Sequence, residues 1–131
     1  MSKSLAHSEE NLIMVYIDKF EFATIKKYLA LRGPVFCKVV HDDMYPLIKF
    51  HEKLKIVNSS NDPKKNDLVA IWDEGQLHFG ICLECSDHAI KVRFIKKKEI
   101  LEVEKLYFLG RVANKKIPLH FRWNIFSRFI K

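Results

Sequence analysis

The sequence predicts a mostly β domain of the α+β kind, with one helix near its N-terminus. Three observations carry this. After Gly33-Pro34 the chain breaks into short apolar runs, rich in Val, Ile and Phe, at regular spacing. Between the runs lie turn-forming stretches: Asn58-Ser59-Ser60-Asn61-Asp62-Pro63, Asp73-Glu74-Gly75 and Ser86-Asp87. Before Gly33, Phe22, Ile25, Tyr28 and Leu29 fall at helical spacing, with Lys26 and Lys27 between them. One helix followed by a series of short strands describes a compact β domain with a helical flank.

In order along the chain, residues 1–10 read as a frayed polar leader that lacks the apolar core of a signal peptide. Residues 11–17 are apolar and β-branched enough for a strand, although they also suit the opening of a helix. Asp18 is a predicted N-cap with Glu21 three residues on, a capping-box pattern. The helix over about residues 18–32 stops at Gly33-Pro34, because proline cannot continue it. Strands are expected over 35–40, 53–57, 67–72, 77–83, 88–95 and 106–112, with a further one at 117–121. Asp73-Glu74-Gly75 between Ile71-Trp72 and Leu77-His78 predicts a tight hairpin, and Ser86-Asp87 a second. The organisation expected is a leader and helical flank (1–33), a β domain (34–118), and a basic aromatic segment (119–131) packed on the same domain.

At 131 residues the chain suits a single domain, and at 48% hydrophobic it has the material for a real core. The odd count of three cysteines, Cys37, Cys82 and Cys85, argues against a disulfide framework and for a reducing compartment. No apolar run approaches the ~18 residues of a spanning helix. The location expected is therefore cytoplasmic, extending to the periphery of a membrane. The net charge of +7 is unevenly placed: all 16 acids lie in residues 1–104 beside 16 bases, so the whole excess sits in 105–131. A basic patch of Lys115, Lys116, Arg122, Arg128 and Lys131, interleaved with Phe121, Trp123, Phe126 and Phe129, suits an anionic membrane surface, nucleic acid or a dimer interface. Packing back on the domain is the plainer reading.

Cys82-Leu83-Glu84-Cys85 with His88 has the look of a metal site, but a fourth ligand is not evident. On a strand the two cysteines point to opposite faces, so burial is expected and no metal or cofactor. Cys37 lies six residues before Asp43, a poor position for a surrogate nucleophile.

The stretch His41-Asp42-Asp43-Met44-Tyr45-Pro46 reads first as a strand-to-turn corner. With the pieces that follow it, it resembles the superfamily of signal peptidases and LexA-type self-cleaving repressors, over roughly residues 30–118. That family carries a Gly-x-Ser-Met-x-Pro box, a Gly-Asp, a Gly-Asp-hydrophobic-Val strand, a base after a hairpin, a later Gly-Asp and a closing Leu-Gly-Arg-Val strand. Met44 and Pro46 fit the box, with Asp43 at the serine position and His41 at the glycine. His51-Glu52 fits the first Gly-Asp, and Asn66-Asp67-Leu68-Val69 fits the strand. Leu77-His78-Phe79 fits the segment where the His-type branch keeps its base. Lys98-Glu99 falls at the later Gly-Asp, and Leu109-Gly110-Arg111-Val112 matches the closing strand.

The resemblance implies a LexA/signal-peptidase-like β domain whose former catalytic positions are Asp43 and His78, with Glu99 a third. Asp43 has no hydroxyl, and a carboxylate is a poor nucleophile toward amides and repels a developing oxyanion. The expectation is a pseudopeptidase that binds an extended peptide or protein segment as an added strand. The groove expected is His41, Asp42, Asp43, Met44, Tyr45, Pro46, His78 and Phe79, with a hydrogen-bonded Asp43–His78 pair in place of the catalytic dyad. An active processing peptidase with noncanonical residues, and a basic nucleic-acid-binding regulatory module, are the alternatives. A single helix before the β domain is too little for a helix-turn-helix.

Overall fold

The protein is described by a computed structural model covering residues 11–97 and 99–118. The expected leader and the segment 119–131, with Arg122, Arg128 and Lys131, lie outside the described residues.

The domain is mostly β, with one helix and eight strands in one mixed sheet. The strands are β1 (Leu12–Ile13), β2 (Val35–Lys38), β3 (Lys53–Val57), β4 (Leu68–Asp73), β5 (Gln76–Cys85), β6 (Ala89–Arg93), β7 (Ile100–Glu104) and β8 (Phe108–Val112). Their spatial order is β1-β2-β3-β8-β4-β5-β6-β7. Only β1 and β2 run parallel; every other neighbouring pair is antiparallel. The last strand, β8, therefore closes the sheet between β3 and β4.

Helix α1 (Lys19–Leu31) has the predicted start. Glu21 donates its backbone N–H to the Asp18 carboxylate at 2.7 Å, and Asp18 donates its own to Glu21 Oε1 at 2.8 Å. This reciprocal pair satisfies two of the N–H groups that a helix start leaves without partners. At the other end Gly33 takes φ +132, a conformation that side chains disfavour. Phe22 and Leu29 are buried. Phe22 packs its ring against Trp72 (5.7 Å between centroids) and Tyr107 (6.0 Å), which fixes the helix over β4.

The β4–β5 hairpin turns through Glu74 and Gly75, both with positive φ (49° and 86°). Two such residues between paired Asp73 and Gln76 make a two-residue turn whose twist suits the strands it joins. Buried side chains come from every strand except β1, with Val35, Leu54, Val69, Ile71, Ile81 and Val92 among the fully enclosed.

Several boundaries differ from expectation. Of residues 11–17, only Leu12–Ile13 form a strand, although Tyr16 bridges Gln76 further on. The strand expected over 35–40 stops at Lys38, where the chain turns toward the corner. The first two residues of the expected 106–112 strand belong instead to a 3₁₀ turn, Lys105–Tyr107. Residues 117–118 are not strand, and the rest of the expected 117–121 segment is outside the described residues. Strand β7 was absent from the expectation. It pairs along its whole length with β6, and of its five residues only Val103 is buried.

Candidate functional site

The corner lies between β2 and β3 and is closed at its base by two hydrogen bonds. Val39 donates to the Glu52 carbonyl at 2.9 Å, and His51 donates to the Val39 carbonyl at 2.8 Å. Inside the loop, Tyr45 donates to the Asp42 carbonyl (3.0 Å) and Ile48 to that of Met44 (3.0 Å). Met44, Leu47 and Ile48 are buried, so three apolar anchors pin the corner to the core. Tyr45-Pro46 is a cis peptide, with both side chains exposed. From the other side the loop after β6 grips the corner. The Lys96 backbone N–H donates to the Asp43 carbonyl at 2.8 Å, and its ammonium pairs with Asp42 at 2.7 Å. That ammonium holds the Asp42 carboxyl below its usual value.

The corner sits against β5. The His41 ring stacks on His78, with centroids 5.9 Å apart and planes at 16°. Tyr16 meets His41 edge-on at 5.9 Å, and Phe94 meets His78 edge-on at 6.1 Å. Within this cluster His41 Nε2, His78 Nδ1 and Gln76 Oε1 are buried without a hydrogen-bond partner. Burial holds the His78 pKa below the ordinary imidazole value, and the His41 ring and Lys97 push the same way. Asp73 and Asp43 act in the opposite sense but do not prevail.

The structure therefore brings Asp43 close enough for its charge to act on His78, yet no hydrogen bond joins them. The expected hydrogen-bonded Asp43–His78 pair is replaced by a His41–His78 stack. His78 Nδ1 is left buried without a partner. Asp43 instead lines a small gap with Val39, His41, Met44, Ile48 and Phe79. The gap measures about 10 Å³, room for one water at most.

The backbone of β5 explains why this place matters. Along β5, pairing with β6 begins at Ile81, while Gln76 and Leu77 are met by the chain at Val15–Tyr16. Leu77 donates its N–H to the Val15 carbonyl, away from β4. By the alternation of an antiparallel ladder, Phe79 also points its N–H and C=O away from β4. Among the described residues no strand pairs with Phe79 on that edge. The corner covers it through the small gap.

Two corners take a glycine-like backbone at residues other than glycine. His51 has φ +70 and Asn66 has φ +76. Each ends the same local structure. Glu52 donates its N–H to the Lys49 carbonyl, and its carboxylate accepts from the Lys49 N–H at 2.9 Å. Asp67 does the same with Lys64, at 3.0 Å and 2.8 Å. Lys98 lies outside the described residues, and Glu99 is exposed beside Lys97, at 3.6 Å, away from the gap. Lys115 pairs with Glu52 at 2.6 Å, and Lys116 is exposed.

Among the described residues no three His, Cys, Asp or Glu side chains are grouped to hold a metal. A bulge in β5 separates Cys82 from Cys85: Cys82 is fully buried and Cys85 half-exposed. Burial pushes the Cys37 and Cys82 thiols up to about 12, so neither is a ready nucleophile. No described helix is long and apolar enough to cross a membrane.

Three contributors escaped the sequence reading: Tyr16, Gln76 and Lys96. Tyr16 and Gln76 come from segments assigned only to strand and turn. Lys96 belongs to a lysine run that looks like a solvated strand end. A search with family models and a search of curated proteins find no match to the chain.

Proposed function

We propose that this chain is a catalytically inactive domain of the signal-peptidase/LexA type, whose former active-site corner binds an extended peptide or protein segment. The observation that carries the reading is the Phe79 edge of β5. Its N–H and C=O lie on an edge without a partner strand, directly under the corner that holds Asp43 and His41. An extended segment laid along that edge gains backbone hydrogen bonds, and its alternate side chains meet the apolar wall of Val39, Met44 and Ile48.

Two further features support it. The order of the motif pieces along the sequence is one. The other is the survival of positive φ at His51 and Asn66, where the family has glycine before an acid. Against catalysis stands the chemistry of Asp43, which has no hydroxyl to activate. The one-water gap means that a bound segment must displace part of the corner.

The test uses the full chain against a random peptide display library. Recovered peptides should share an alternating apolar pattern, and their binding should be lost in Phe79→Pro, which removes the edge donor. Circular dichroism confirms that the variant folds. Binding that survives Phe79→Pro places the partner elsewhere and sinks the reading. Labelling by a serine-directed activity probe would favour the active-peptidase alternative. Oligonucleotide binding that weakens steeply with salt would favour the nucleic-acid alternative.

A further inference from the structure

The corner closes over the Phe79 edge with room for about one water, so something must open it before a segment can bind. We infer that His78, stacked on His41, is a pH-sensitive latch: its neutral imidazole keeps the corner shut, and its protonation opens it. The inference deepens the peptide-binding reading and rests on it for its purpose, though its physical content stands without a peptide.

Two imidazoles lie nearly parallel, with centroids 5.9 Å apart, between Tyr16 and Phe94. His41 Nε2 and His78 Nδ1 are both buried and unbonded. A proton added at His78 Nδ1 finds no acceptor there, so the charged ring is left unpaired. The neutral ring avoids that cost.

The charged groups around His78 set the balance. Asp43 from the corner and Asp73 from β4 favour its protonation. Burial, His41 and Lys97 oppose it, and the opposition prevails. His78 therefore binds protons more weakly in the shut corner than in water. The sign follows from linkage. Above about pH 6.5 both states are neutral and the shut state keeps its full advantage. Below that, the open state takes up protons that the shut state refuses, and opening rises with acidity.

The moving part is also defined. Lys96 ties Asp42 through its side chain and Asp43 through its backbone. The Lys96 ammonium keeps Asp42 ionised as pH falls, so this tie persists while His78 charges. The His41 side of the corner is then the side that lifts, which uncovers Phe79.

The experiment is amide exchange and ¹H–¹⁵N NMR on the full chain from pH 7.5 to 5, with exchange rates corrected for intrinsic pH dependence. Phe79 exchange should rise by up to about tenfold per pH unit below ~6.5 and level off where the His78 imidazole of the shut corner itself titrates. Val69 and Val92 should stay protected. His78→Phe, which keeps an aromatic ring in the stack, should abolish the pH dependence. Unchanged Phe79 exchange through pH 5 while His78 titrates overturns the latch. So does parallel loss of protection at Val69 and Val92, which is global unfolding, or a pH dependence that survives in His78→Phe. No peptide enters these measurements. A peptide that fails to bind even at pH 5, with the corner open, refutes the binding reading alone.

Discussion

Replacing Gly110 with alanine should be among the most damaging single changes in this domain. Gly110 lies in β8, the strand that closes the sheet between β3 and β4. A Cβ built there falls closer than 3.0 Å to the Val57 carbonyl oxygen, with Ile56 Cγ2 at 3.0 Å and the Val57 carbonyl carbon at 3.3 Å. The nearest obstacle is backbone, so no side-chain rotation relieves it. Either β3 or β8 must move. They are joined by only two residue pairs, Ile56 with Val112 and Val57 with Arg111, so movement puts that short ladder at risk. Losing its hydrogen bonds costs about 1 kcal/mol each. Overpacking strain adds about 1–3 kcal/mol. The expected loss is about 2–4 kcal/mol, a large share of a total stability of about 5–15 kcal/mol. Gly80→Ala is the matched control. Its added Cβ meets Arg93 O and Phe94 Cε1 at 3.2 Å and Val92 Cβ at 3.3 Å, tight contacts that small shifts relieve. Urea unfolding followed by far-UV circular dichroism measures both variants. Gly110→Ala should shift the midpoint well beyond Gly80→Ala at an unchanged m-value. A Gly110→Ala loss below about 1 kcal/mol, or no greater than that of Gly80→Ala, would refute the close approach of β3 and β8.

Asp43→Asn should lower the His78 pKa further in an NMR titration, because the carboxylate favours the imidazolium; an unchanged value would mean that the two do not interact. Asp18→Ala removes one half of the capping box and should cost about 1 kcal/mol in urea unfolding, with Ser at the same position recovering most of it. In the native protein at pH 8, Cys37 and Cys82 should resist iodoacetamide, since thiols near 12 leave about one part in ten thousand as thiolate. Half-exposed Cys85 should react ahead of both, and modification of Cys82 before Cys85 would contradict the burial.

Much of the fold was legible because its signals are local. The capping box at Asp18 and Glu21, the stop at Gly33-Pro34 and the hairpin at Glu74-Gly75 each depend on residues a few positions apart. The strand β3 appears at its predicted bounds. The strand β7 was missed because Ile-Leu-Glu-Val-Glu presents three exposed positions and a single buried one, so no clean apolar face announces it. What defines it is the ladder to β6, a tertiary fact. Of the residues named for the groove, His41, Asp43, Met44 and Phe79 line one small gap. The stacking of His41 on His78 was not readable, because it depends on how a loop folds across a strand about forty residues away. The same holds for Lys96, whose partners Asp42 and Asp43 are more than fifty residues away in sequence.

The corners at His51 and Asn66 hold a positive φ without glycine. Positive φ is costly for a side chain, least for asparagine and more for histidine. At both places an acid follows, and its carboxylate accepts the N–H three residues back. Glu52 is fixed again by Lys115, and the His51 N–H is spent on the Val39 carbonyl at the foot of the corner. The turn is thus over-determined by hydrogen bonds, which is how strained backbone persists. The turn at Asn66 is held in the same way, with the Asn66 N–H on the Cys82 carbonyl and the Cys82 N–H on the Asp67 carbonyl. Both turns frame the chain on which the gap is built: one closes the corner loop, the other feeds β4 beside β5. Asp43 offers its carbonyl to Lys96 and its charge to His78. The two turns and these Asp43 contacts rest on different atoms, so a change at the Asp43 side chain leaves both turns standing.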